Sequence, residues 1–155
     1  MASITLWIIG LTGIGTLVIS AIWWLAGRKQ RQINRALQNF HQQREIAEAH
    51  FVKRASQSGK PRGLTWVDVD FDNDVSLAQD RTSGRLLSFV AIKIQFEAVE
   101  GGEMEDNENV GYIRSGTAVF KFDGQQWDAD GRAIMNLSPD ETIERFQSEV
   151  DRVAG

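Results

Sequence analysis

No side chain between residues 2 and 27 of this 155-residue chain carries a charge, and that run constrains everything after it. Within it, residues 4–25 (ITLWIIGLTGIGTLVISAIWWL) form a mostly apolar stretch of 22 residues. At 1.5 Å per residue such a helix is roughly 33 Å long, enough to cross a hydrocarbon core of about 30 Å. Trp7 lies near one end and Trp23 and Trp24 near the other, where indole rings favour the membrane–water boundary. The pattern predicts a transmembrane anchor over residues 1–27. A cleaved signal peptide would need a basic start, an apolar core of about 7–15 residues and a small-residue cleavage site. Met1-Ala2-Ser3 offers no basic side chain, the run is too long, and WWLAG places tryptophan where a small residue belongs.

The flanks orient the anchor. Arg28, Lys29, Arg31 and Arg35 follow the span directly, and no Lys or Arg precedes it. The positive-inside rule then puts the C-terminal side in the cytoplasm and leaves a few residues outside a bacterial inner membrane. The absence of cysteine fits a reducing compartment. Gly10, Gly13 and Gly15, with Thr12, Thr16 and Ser20 at four-residue spacing, allow close helix–helix approach and predict a homodimer through the transmembrane helix.

Residues 28–59 read as a basic stalk helix. Between Arg28 and Ser58 there is no Pro or Gly, and Ile33, Leu37, Phe40, Ala47 and Phe51 recur at helical spacing. Gly59 suits a left-handed cap and Pro61 forbids continuation. Arg44 interrupts the apolar stripe, and only one or two heptads fit, so packing of its second half on a sheet is favoured over a coiled coil. His41 and His50, nine residues apart, point to opposite helix faces and cannot share a metal ion.

Charge divides at Gly63. Residues 28–62 carry nine Lys/Arg against two Glu, a net of +7, while residues 63–155 carry eight against nineteen acids, a net of −11. A basic segment is drawn to the anionic headgroups of the lipid bilayer and an acidic head is held off them. The acidic head also argues against nucleic-acid binding.

Residues 60–155 read as an α+β head. In LTWVDVDF, Val67, Val69 and Phe71 alternate with aspartates and are expected to face inward, and Asp72-Asn73-Asp74 then reads as a turn into a short strand, Val75 to Gln79. In RLLSFVAIKIQFEAV, Val90, Ile92, Ile94, Phe96 and Ala98 make one face and Lys93, Gln95 and Glu97 the other, as in half-buried antiparallel sheet. GYIRSGTAVFKF and QQWDADGRAIM flank Asp123-Gly124, a hairpin signal. Ser138, Pro139 and Glu141 open a closing helix with a capping box, and Ile143, Phe146 and Val150 share its inner face. The expected fold is an N-terminal transmembrane helix continuing into a stalk helix, an antiparallel curved sheet of four or five strands, and a C-terminal helix. In its order of elements it is similar to cystatin-like or NTF2-like rolls.

The segment GKPRGLTWVDVDFDNDV followed by FEAVEGGEMED resembles an uncharacterised family of small, single-span membrane-anchored proteins of planctomycete-type bacteria. The resemblance covers roughly residues 40–146. It implies membrane anchorage and carries no activity with it.

Four aspartates, Asp68, Asp70, Asp72 and Asp74, occupy every second position. A calcium loop needs Gly at its sixth place and Glu at its twelfth. Counting from Asp68 gives Asn73 and Gln79; from Asp70, Val75 and Arg81. Neither register fits, so the aspartates read as the solvated face of a strand. Asp68 and Asp70 near Glu103 and Glu105 would make at most a weak cation patch. Residues 63–155 hold no His, no Cys and no Gly-rich phosphate loop after a strand, so neither catalysis nor a cofactor is expected. Two functions remain. One is a membrane-anchored cytoplasmic module that presents a protein-binding or scaffolding surface. The other is a small-ligand-binding domain with an apolar pocket under the curved sheet, lined by Trp66, Phe89, Tyr112 and Trp127.

Overall fold

The computed structural model describes residues 2–58 and 63–153. Its elements are α1 (Ala2–Ser58), β1 (Leu64–Asp80), β2 (Leu86–Ala98), β3 (Arg114–Phe122), β4 (Trp127–Asp128), β5 (Ala133–Met135), α2 (Pro139–Arg145) and β6 (Val150–Val153). The class is α+β: a curved antiparallel sheet of six strands with two helices. The chain divides into two compact units, Met1–Ala36 and Leu37–Gly155.

In the first unit, the guanidinium of Arg28 lies over the Trp24 ring at 4.1 Å, and Trp23 and Trp24 are both exposed. Trp7, the small residues at positions 10–16 and the Lys29 side chain lie outside the residues whose side chains are described, and the Gly59–Pro61 stop lies outside the described residues. Among the described residues, no helix is long and apolar enough to cross a membrane. Most side chains of the 4–25 stretch lie outside those described.

In the second unit, residues 37–58 of α1 lie across one face of the sheet. Phe40, Ala47, Phe51 and Ala55 are buried, at the spacing that makes one stripe of a helix. Phe40 meets Phe120 and Trp127 edge-on at 5.3 and 5.2 Å, and Phe51 packs on Phe71 and Phe120 at 5.8 and 5.9 Å. Arg44 breaks the stripe for a reason that only the structure shows. Its guanidinium reaches the carbonyl oxygens of Phe71, Asp72 and Asn73, and its Nε donates to Glu48 at 2.6 Å.

The strand order is β4-β3-β2-β1-β6, with β5 also paired to β3. On β2, Val90, Ile92, Ile94 and Phe96 are buried towards α1 while Lys93, Gln95 and Glu97 are exposed, as the alternation predicts. The other face is covered at one end only. There Ala78, Leu87, Phe89, Val119, Ile143 and Val150 form a second cluster, with Ile134 and Phe146 against it.

Five details differ from expectation. Asp72-Asn73-Asp74 is no turn: β1 runs on to Asp80, and the three residues bulge between the pairs Phe71↔Ile92 and Val75↔Val90. Arg44 takes up the carbonyls of Asp72 and Asn73, and that of Phe71 just before them. A second irregularity falls between Trp66↔Phe96 and Asp68↔Gln95, which turns Val67 outward, 50% exposed, and puts Trp66 on the inner face instead. β3 begins at Arg114, three residues later than expected. The QQWDADGRAIM strand is broken into β4 and β5 by Ala129–Arg132, where Gly131 has φ +79° and sits so close to α1 that a Cβ would come within 2.4 Å of the Ala55 nitrogen. The closing helix ends at Arg145, and Val150 belongs to β6, which pairs with Leu77–Asp80 and brings the sheet to six strands. The Ser138–Glu141 capping box and the Asp123-Gly124 turn form as expected. In that turn, Asp123 Oδ1 accepts from the amides of Gln125 and Gln126, both at 2.8 Å.

The two faces of β2 make a direct test. Ile94 is fully buried and Lys93 exposed, and truncating a buried large aliphatic side chain costs about 2–5 kcal/mol. Ile94→Ala is expected to lower the denaturant midpoint sharply, and Lys93→Ala to leave it within about 0.5 kcal/mol of the parent.

Candidate functional site

At the end of the sheet where β1 starts and β2 stops, three segments enclose an open cleft of about 610 Å³. The floor is Leu64 and Trp66 of β1 with Phe96 of β2. One wall is the β2–β3 connection, which brings Met104, Asn107, Asn109 and Val110. The other is the β4–β5 segment from Asp130 to Met135. Such a volume falls in the range that takes a small organic molecule.

Local chemistry positions each part. The bulge at Val67 puts the Trp66 ring inward, edge-on to Phe96 at 5.3 Å and to Phe51 at 6.4 Å. The β2–β3 connection folds back over β1 through the Val99 amide, which donates to Gly63 O at 2.8 Å. It is then wound tight: Gly102 N donates to Val99 O at 2.8 Å, and Gly101 N to Glu105 Oε2 at 2.8 Å. The β4–β5 segment is held from α1. Arg54 donates to Asp128 Oδ2 at 2.8 Å and to the carbonyl of Ala129, and the close approach at Gly131 fixes the loop against the helix.

The polar groups of the cleft are few. Trp66 Nε1 is buried and has no hydrogen-bond partner among the described residues, an arrangement that leaves a donor unsatisfied at a cost. Arg114 Nη2 makes one long bond, 3.4 Å, to Asn109 O. Both oxygens of Asp130 are engaged, Oδ2 by Lys121 Nζ at 2.6 Å and Oδ1 by the Arg132 amide at 3.1 Å. Burial pushes the Asp130 carboxyl up, but the bond from Lys121 and the Arg132 amide outweigh it and hold the group below its ordinary value. Asp128 behaves alike: burial raises it, while Arg54, the Ala129 amide and His50, whose Nδ1 lies 3.5 Å from Oδ1, bring it down.

The expected pocket residues do not converge. Trp66 lines the cleft. Phe89 belongs to the cluster on the opposite face of the sheet, Trp127 is buried against Phe40 and Phe122, and Tyr112 is 62% exposed on the loop before β3. Asp68 and Asp70 lie on the exposed face of β1, with Asp70 opposite Lys93, and Glu103 and Glu105 lie in the β2–β3 connection. Among the described residues, no three His, Cys, Asp or Glu side chains come together to hold a metal ion. Asp70 and Asp72 instead border a smaller hollow of about 460 Å³ with Lys93 and Ser115. Sequence reasoning missed Phe96 as a site residue, along with Met104, Arg114 and Arg132. No local pattern marks them, because the cleft is assembled from segments up to seventy residues apart. Compared with models of protein families, with curated proteins and with solved structures, the chain matches none.

The carboxylates predict an acid response. Asp80, Asp123, Asp128, Asp130, Asp140 and Glu141 are all held below their ordinary values by hydrogen bonds or ion pairs. A carboxylate whose folded value is depressed contributes stability that is complete above its unfolded value, about 3.9 for Asp and 4.3 for Glu, and is lost as pH falls through the folded value. The thermal midpoint is therefore expected to fall steadily below about pH 4, and less steeply in Asp128→Asn. A midpoint that rose on acidification would contradict these assignments.

Proposed function

We propose that residues 37–155 form a small-ligand-binding module whose cleft takes an apolar organic molecule. The observation that carries this reading is the cleft floor itself, where Trp66 and Phe96 line an open space of about 610 Å³ and give it an aromatic surface of the kind that takes an apolar ligand. The architecture is read as a cystatin-like or NTF2-like roll, supported by a helix laid across a curved antiparallel sheet. The module is carried, in this reading, on a single-pass anchor over residues 4–25 with its head in the cytoplasm. The uncharged run, the basic cluster Arg28, Lys29, Arg31 and Arg35, and the resemblance to small membrane-anchored proteins of planctomycete-type bacteria support that placement. Presentation of a protein-binding surface is the second reading, favoured by the side-by-side exposure of Tyr112 and Ile113.

The test uses full-length protein in lipid nanodiscs with 15N-labelled indoles, Trp66 being assigned through Trp66→Phe. Titration with octan-1-ol is expected to move the Trp66 indole signal saturably and leave that of the core residue Trp127 in place. A Trp66 signal that stays still up to the solubility limit of the alcohol would contradict the reading.

A further inference from the structure

We infer that the molecule taken by this cleft is an apolar carboxylate, its chain against Trp66 and Phe96 and its head at Arg114 and Arg132; this rests on the ligand-binding reading above. Residues 63–155 carry a net charge of −11, so an unselected hollow in this domain would be expected to have an acidic lining. The cleft departs from that. Two arginines, Arg114 and Arg132, line it, and the acids of the β2–β3 connection (Glu100, Glu103, Glu105, Asp106 and Glu108) do not, although Met104, Asn107, Asn109 and Val110 between them do.

The one carboxylate in the lining is Asp130, and it is already satisfied by Lys121 and by the Arg132 amide. Its charge is already paired with Lys121. Among the described residues neither Arg114 nor Arg132 makes an ion pair. Arg132 has no side-chain hydrogen bond, and Arg114 has only the 3.4 Å bond to Asn109 O. Of the other arginines of β1 to β6 and their connections, Arg81 pairs with Asp151 and Arg152 with Asp140, while Arg85 and Arg145 make no ion pair among the described residues. Two planar, always-charged forks beside an apolar floor suit a carboxylate, which guanidinium groups bind through paired hydrogen bonds. Arg132 also borders a smaller hollow of about 280 Å³ on the side of Arg85 and Lys121, so Arg114 and Arg132 are tested together.

The Trp66 indole signal of full-length protein in neutral-lipid nanodiscs reads the affinity for octanoate, octan-1-ol and octylammonium at pH 7.5. Octanoate is expected to bind about tenfold or more tightly than octan-1-ol, the size of a charge-assisted hydrogen bond, and octylammonium most weakly. In the double variant Arg114→Gln/Arg132→Gln, the preference is expected to be lost, with octanoate and octan-1-ol binding alike. Arg132→Lys is expected to keep part of the preference. Equal affinities in the parent protein, or tightest binding of octylammonium, would overturn the inference while leaving a ligand-binding cleft in place. Absence of saturable binding by all three would remove the cleft reading along with it.

Discussion

The packing of Phe40, edge-on, and of Phe51, tilted, against Phe120 holds residues 37–58 of α1 to the sheet, and the rest of the second unit is arranged around it. Both helix rings are fully buried. Replacing such a ring by Ala costs about 3–5 kcal/mol, against a total stability of about 5–15 kcal/mol for an ordinary domain. With the helix seated, three polar contacts follow at fixed places along it. Gln43 Oε1 accepts from the Trp127 amide at 3.2 Å, Arg44 gathers the carbonyls of the β1 bulge, and Arg54 holds Asp128 and Ala129. The helix therefore contributes more than a cover. It supplies partners for the carbonyls of Phe71, Asp72 and Asn73 at the β1 bulge and for Ala129 O in the β4–β5 detour, backbone groups that irregular strand leaves without a ladder partner.

The cleft is a consequence of those two departures from regular sheet. A regular β1 would present Val67 inward and Trp66 to solvent, because a shift of one residue exchanges the faces. The bulge reverses this and delivers the indole to the cleft floor. An unbroken hairpin after β3 would leave no Asp130–Ala133 wall. The detour is possible because position 131 is glycine, at positive φ and in contact with the backbone of Arg54 and Ala55. Irregularities of this kind recur next to binding sites, where they re-aim a side chain.

What the sequence showed in advance was mostly local. The stripe Phe40–Ala47–Phe51, the face Val90–Ile92–Ile94–Phe96, the Asp123-Gly124 turn and the Ser138 cap each follow from residues within one turn or strand, and each is present. The bulge at Val67 was illegible, because V-D-V-D-F alternates equally well in either register until Phe51 and Phe96 choose Trp66. The strand β6 was illegible too: VDRV is short, and its partner Leu77–Asp80 lies about seventy residues back. Arg44 was visible as a break in the stripe, but its use required the bulge that it stabilises. The cleft depends on all of these non-local choices together, which is why only Trp66 of its residues could be named beforehand.

The account rests on residues 37–58 of α1 being one cooperative unit with the sheet. Native-state hydrogen exchange on the full chain measures this directly, by comparing amides of α1 around Phe51 with those of Val90 and Ile92 on β2. If the helix is integral, both sets exchange only through the same global opening and report the same free energy. If the helix amides exchange more than about a hundredfold faster while β2 stays protected, the sheet stands without the helix and the account is wrong.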